Sequence, residues 1–122
     1  MKEKITNWLQ RLNDEEAVPS NIVALNFGLF NSEKGYCIYL IGSEHYDETD
    51  DDWACDVDFE PKEKYLEITD ADVQNMSWEK FQNDVVQIIS DYICQTTVCD
   101  SSLFFNRVVT IGFDDGDLVR VK

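Results

Sequence analysis

Asn21-Ile22-Val23-Ala24-Leu25-Asn26-Phe27-Gly28-Leu29-Phe30, then Asn31-Ser32-Glu33-Lys34-Gly35, then Tyr36-Cys37-Ile38-Tyr39-Leu40-Ile41-Gly42: this run decides the architecture of the 122-residue chain. Its flanks are rich in large apolar and β-branched residues and its middle in turn formers. It reads as two strands of a hairpin joined by a five-residue loop, residues 31–35. The first strand alternates only loosely, as a well-buried strand does. Gly28 inside it points to a bulge or to a close approach of another group to the backbone.

Working outward from the hairpin, Ile5, Trp8, Leu9 and Leu12 recur at i, i+3, i+4 and i+7. That is one apolar face of a helix over residues 2–13, with Lys4, Asn7, Gln10 and Arg11 opposite. Asn13-Asp14 and the later Pro19 end it. On the other side, Trp53, Cys55, Val57 and Phe59 occupy every second position among Asp52, Asp56, Asp58 and Glu60. Such alternation predicts a half-buried strand with a charged outer face. Pro61 and Lys62-Glu63-Lys64 lead into a short strand, Tyr65–Ile68. Ser77 then caps a helix over 78–95, with Glu79 in its first turn, where the helix dipole favours an anion. Trp78, Phe81, Val85, Ile88 and Tyr92 form its stripe, flanked by Val86, Ile89 and Ile93, and make it the main core helix. Last, residues 107–113 and 118–122 flank Asp114-Asp115-Gly116-Asp117, whose Asp-Gly pair signals a hairpin turn. The order α-β-β-β-β-α-β-β predicts a single α+β domain over residues 1–122. Its sheet is expected to be mostly antiparallel, of about six strands, with two helices on one face.

Charge narrows the function classes. The chain carries 25 acidic and 10 basic side chains, a formal net charge of −15. The imbalance is uneven: residues 1–61 hold 14 acids and 4 bases, residues 62–122 hold 11 and 6. Direct nucleic-acid binding is disfavoured, because phosphate contacts need clustered Lys and Arg. An anionic membrane surface repels such a chain for the same reason. A cationic protein is the natural complement. Residues 1–8 lack the apolar core of a signal peptide, and no apolar run approaches a bilayer-spanning length, so a soluble cytoplasmic protein, favoured as a monomer, is expected. Cys37, Cys55, Cys94 and Cys99 then read as reduced thiols, with Cys37 and Cys94 in core-facing patterns.

Residues that carry chemistry are sparse. The single histidine, His45, lies beside Glu44 and Asp47, between Cys37 and Cys55, in no nucleophile motif. Neighbouring carboxylates favour imidazolium, the form that is not a base. The cysteines lack zinc spacing. Asp47, Thr49 and Asp51 alternate like the first ligands of a calcium loop, but Asp52 stands where that loop needs glycine and Asp58 where it needs glutamate. Close carboxylate pairs are inevitable among so many acids and single out no glycosidase site. The five glycines form no phosphate-cradling loop. The expectation is no catalytic residue, no metal and no cofactor.

A binding role has more behind it. Residues 44–60 hold nine carboxylates in seventeen positions with no Lys or Arg. Like charge so packed destabilises a fold by self-repulsion, which is most easily tolerated where it is used. Tyr46 and Trp53 bracket Asp47, Glu48, Asp50, Asp51 and Asp52, and Tyr and Trp are enriched among interface hot spots. Trp53 also shares its phase with Cys55, Val57 and Phe59, which favours a core position for it.

In character the chain resembles bacterial immunity proteins of the polymorphic-toxin or contact-dependent growth inhibition type. The resemblance rests on a small acidic α+β domain, the Asp50-Asp51-Asp52-Trp53-Ala54-Cys55 stretch within an acid run, flanking aromatics and no enzyme motif. It spans the whole chain in organisation and singles out no subfamily. It implies a protein that binds a cognate toxin domain, often a cationic nuclease, and covers its active or substrate surface. The contact residues would be Tyr46, Asp47, Glu48, Asp50, Asp51, Asp52 and Trp53, with Asp56 and Asp58 as rim charges. Asp114, Asp115 and Asp117 would supply a second contact. The alternatives are an acidic nucleic-acid mimic that inhibits a DNA- or RNA-binding protein, a small carboxylate-dependent enzyme and an adaptor.

Overall fold

The structure, a computed structural model, describes residues 1–33, 35–69, 73, 75–96, 103–104, 106–114 and 116–122. Its centre is β1 (Ala24–Ser32), of which Ala24 through Leu29 are all buried. β1 pairs antiparallel with β2 (Gly35–Ser43), from Ala24 opposite Ser43 to Ser32 opposite Gly35. The hairpin therefore closes at Ser32 and Gly35, more tightly than a loop of residues 31–35 would allow. β3 (Tyr65–Ile68) adds antiparallel to the outer edge of β2. On the other side β1 pairs parallel with β4 (Val108–Phe113), and the two-residue β5 (Val119–Arg120) closes antiparallel on β4. The strand order is β3-β2-β1-β4-β5.

The class is α+β, as the alternation of helical and strand patterns indicates. The sheet differs from expectation in two ways. It has five strands, and its central pairing is parallel. Short connections do give antiparallel neighbours, as between β1, β2 and β3. The connection from β3 to β4 is long and contains a helix, which returns the chain to the same end of the sheet, as parallel strands require.

The missing strand is the one expected at 53–59. Asp51–Cys55 is instead a 3₁₀ turn, and Phe59 makes only an isolated bridge to Gly42. The reason is local. Aspartate is poor in strands and good at capping, and Asp50 accepts a hydrogen bond from the Asp52 N–H at 3.0 Å, which opens the turn. The place beside β2 is also taken by β3.

Helix α1 (Lys2–Glu15) buries Ile5, Trp8, Leu9 and Leu12, the four residues of its apolar stripe. Helix α2 (Trp78–Thr96) begins at Ser77, whose Oγ accepts from the Lys80 N–H at 3.2 Å. It buries Phe81, Val85, Ile89, Tyr92 and Ile93. The stripe is rotated from the expected one: Ile88 is only half-buried, and Trp78 is 55% exposed at the first turn. Both helices join one core cluster with Leu25, Phe27 and Leu29 of β1, Ile38 and Leu40 of β2, and Val109 and Ile111 of β4. Trp8 meets the Phe27 ring edge-on at 5.9 Å, and Tyr36 stacks on Phe81 at 4.1 Å.

The chain segments that enter β1 and β4 are tied by one cation. The Arg107 guanidinium donates to the carbonyls of Ile22 (2.8 Å), Leu103 (2.9 Å), Pro19 (3.0 Å) and Val18 (3.3 Å). Burial pushes its pKa down, yet a guanidinium stays charged, so four backbone acceptors solvate it in place of water. Arg107→Met strands those carbonyls and is expected to lower unfolding free energy by about 3 kcal/mol, measured by urea denaturation. Arg107→Lys, with fewer and differently directed donors, should recover less than half of that loss.

Candidate functional site

Both helices cover one face of the sheet. The other face presents Ala24, Asn26 and Gly28 of β1, Cys37, Tyr39, Ile41 and Ser43 of β2, and Thr110 and Gly112 of β4, by the alternation along each strand. Across this face runs the acidic segment. Trp53 is 3% exposed and, like Ala24 and Ile41, is buried outside the main cluster. It forms part of a second, smaller core. Tyr46 meets the Trp53 ring edge-on at 5.2 Å, and the Arg120 guanidinium lies 5.5 Å from the Tyr46 ring centre. The two bracketing aromatics are thus in mutual contact, with Trp53 fastening the segment and Tyr46 half-buried above it.

Above this fastening the carboxylates order their own backbone. Asp47 Oδ1 accepts from the Thr49 N–H at 2.9 Å and the Thr49 hydroxyl at 2.7 Å, which holds its carboxyl below its ordinary pKa. Asp51 Oδ2 accepts from the Leu118 N–H at 3.1 Å, joining the acidic turn to the β4–β5 connection. Asp58 Oδ2 accepts from the Glu44 N–H at 2.9 Å, closing the base of the segment. His45 Nε2 lies 3.0 Å from Asp56 Oδ2, so the histidine pairs with that residue rather than with Glu44 or Asp47. Asp47, Glu48, Asp50, Asp51 and Asp52 are all exposed, and among the described residues none forms an ion pair with Lys or Arg.

Beside the turn the sheet is open. A Cβ on Gly28 would lie 2.0 Å from the Tyr39 ring, so the missing side chain is what lets Tyr39 lie across β1. Gly28 therefore marks a close approach and no bulge, since the β1–β2 register runs through it unbroken. Tyr39 reaches β4, where its hydroxyl donates to Asp114 Oδ1. Burial first, and the Asp114 carboxylate second, push the Tyr39 phenol well above its ordinary pKa. A cleft of about 230 Å³ remains here, walled by Asp51, Asp52 and Ala54 on the turn and by Phe113 and Asp114 at the end of β4, with Asn26 in its lining. Next to it, sharing Phe113 and Asp114, lies an apolar groove of about 480 Å³ beneath Trp78. Periodicity places Trp78 in the core stripe of α2. Its packing edge-on to Phe113 at 5.8 Å leaves most of it in solvent, and no local signal in the sequence distinguishes it.

The remaining expected sites fall as follows. Asp56 and Asp58 are exposed at the base of the acidic segment, and Asp117 is exposed beyond β4. Cys37 is buried, and both burial and Glu67 push its thiol up. Cys94 is exposed, contrary to its core-facing pattern, because Tyr92 and Ile93 take the inward positions at that turn. Cys55 is also exposed, and all three are free thiols. Cys99 and Asp115 lie outside the described residues. Among the described residues no three His, Cys, Asp or Glu side chains gather so as to hold a metal ion, and no helix is long and apolar enough to cross a membrane.

Comparison with protein-family models, with curated proteins and with solved structures finds no match.

Because the folded pKa of Tyr39 lies above the ordinary value of about 10, its contribution to stability is complete below about pH 10 and is lost as pH rises toward the folded value. Tyr39→Phe should flatten the alkaline decline of the urea midpoint. It should also remove one late-titrating phenol from the ultraviolet tyrosinate titration.

Proposed function

We propose that the chain is an inhibitor of the immunity type, which binds a basic partner, a cationic toxin domain of the nuclease kind, through the acidic cover of its sheet. One observation carries this reading. Asp47, Glu48, Asp50, Asp51 and Asp52 stand exposed on a turn that is fastened to the fold, with no intramolecular Lys or Arg partner among the described residues. Five carboxylates held together repel one another, and unfolding would relieve that repulsion. A partner that brings opposite charge relieves it without unfolding.

Order in the turn adds to the argument. A loop already fixed by its own side chain-to-backbone bonds loses little entropy on docking. The local negative potential raises the encounter rate with a cation and depends on salt. Gathering of the acids on one turn, rather than along an extended face, suits a compact basic surface better than imitation of a nucleic-acid strand. In this reading Asp47, Glu48, Asp50, Asp51 and Asp52 make the contact, the half-buried Tyr46 adjoins it, Trp53 supports the turn from beneath, and Asp56 and Asp58 form the rim. The inhibitor acts as a cytoplasmic monomer without cofactor.

The test is capture followed by inhibition. The immobilised chain, exposed to extract of the organism that encodes it, should retain a basic protein at low salt and release it at high salt. The soluble chain should then inhibit the activity of that protein. Joint Asp50→Lys, Asp51→Lys and Asp52→Lys substitution should weaken retention by roughly 100-fold and abolish its salt dependence. Since Asp50 and Asp51 also hold the turn, Glu48→Lys with Asp52→Lys is the companion variant. Undiminished retention by both variants overturns the assignment.

A further inference from the structure

The groove beneath Trp78 exists because two parallel neighbours differ in length. β1 runs to Ser32, but its pairing with β4 ends where Leu29 lies opposite Phe113. Phe30, Asn31 and Ser32 therefore have no strand on that side among the described residues. Trp78 stands over the gap from the first turn of α2, edge-on to Phe113 and 55% exposed. Trp8 and Trp53 are buried, so Trp78 is the one indole that the fold leaves in solvent. A lone exposed apolar side chain is ordinary, but this one adjoins Leu29, Phe30 and Phe113 in a single groove of about 480 Å³. Asp114 is the only charged residue in that lining among the described residues. Glu79 after Trp78 and Asp117 after Gly116 are acidic too, and both are exposed.

We propose that this groove receives a large apolar side chain of the basic partner, one flanked on that partner by Lys or Arg. The proposal rests on the inhibitor reading and extends its contact from the acidic turn to the end of the sheet. Area requires such an extension. A stable interface takes about 800 Å² and roughly 20–30 residues from each side, so the five carboxylates of the turn are at most about a quarter of one. Interfaces also have an apolar, aromatic centre with charge at the rim, and a turn of carboxylates is all rim. The groove supplies that centre close by, since it shares Phe113 and Asp114 with the cleft beside the turn. Charge opposes a second copy of the chain as the occupant: each carries −15 and would bring acid to an acidic rim. A free small ligand is held by convergent polar groups in a pocket, whereas the polar side chains of this lining, Asn31 and Asp114, are exposed. An apolar side chain needs no such grip, because the rest of the interface holds it, and basic neighbours bring it the charge that Asp114 demands.

Three blocked tripeptides, Lys-Phe-Lys, Lys-Ser-Lys and Glu-Phe-Glu, are titrated at equal ionic strength into the isotopically labelled intact chain and read by NMR. Lys-Phe-Lys should give saturable shifts centred on the Trp78 indole N–H and the backbone amides of Asn31 and Asp114. It should bind at least about fivefold more tightly than either of the others. Trp78→Gln should weaken it by at least about fivefold. Asn31→Trp fills the groove while keeping Trp78 and every acid, and it should abolish the response. Both positions are exposed, and if one variant disturbs the fold the other decides. Equal binding of Lys-Phe-Lys and Lys-Ser-Lys, or of Lys-Phe-Lys and Glu-Phe-Glu, would overturn the docking groove. So would shifts centred on Asp47 through Asp52, or a response that survives in folded Trp78→Gln. Dimerisation in sedimentation that Trp78→Gln abolishes gives the groove to a second copy and overturns it as well. Once a partner is captured, weakening by joint Glu48→Lys and Asp52→Lys but not by Trp78→Gln removes the groove and leaves the inhibitor reading standing. Weakening by neither removes the two together.

Discussion

A sheet has two faces, and among the described residues helices cover only one of them. β1 is flanked by strands at both edges and buried along its first six residues, so both of its faces have to be covered. α1 and α2 cover the first with a continuous apolar cluster. The second is left to the segment between β2 and β3, which is the most acidic stretch of the chain. That requirement places the acids. Trp53 is buried there, as are Ala24 and Ile41 of the sheet, and the carboxylates around it are exposed.

Two energies compete in that segment. Neighbouring carboxylates in water repel by about 1 kcal/mol at 4 Å and less at greater distance. Against this stand the burial of Trp53, worth about 2–3 kcal/mol, and hydrogen bonds from backbone N–H groups to Asp47, Asp50, Asp51 and Asp58. The same negative charge that strains the turn supplies the acceptors that order it. The second face tolerates this polar cover because it is itself partly polar: Asn26 bonds to Thr110, and Tyr39 reaches Asp114.

What could be read from residue order was whatever repeats locally. The four inward residues of α1, the apolar hairpin and the antiparallel return from β4 to β5 each carry their signal within a few positions. Residues 53–59 misled because alternate apolar residues mean a strand only if the backbone is extended. Here Asp50 caps a 3₁₀ turn, Trp53 goes to one face of the sheet, and Phe59 packs against the core on the other. Asp-rich residues ahead of Trp53 were the available hint. The parallel β1–β4 pairing and the rotation of α2 that frees Trp78 depend on partners far along the chain. For the site, the clustering of acids was visible in the sequence. Asn26 and Tyr39 were not, and Asp114 stood there only as part of a second contact, because only the register of three strands brings these residues together.

The strand order also governs what sort of contact this molecule can make. Its long apolar strands are all interior, and the rims of the sheet are a four-residue strand bearing Glu67 and a two-residue strand bearing Arg120. Neither offers a run of unsatisfied backbone groups long enough for another chain to zip onto. Recognition by strand addition is closed off, and with it the commonest route by which such apolar β-hairpins aggregate. Whatever this protein meets, it meets through side chains.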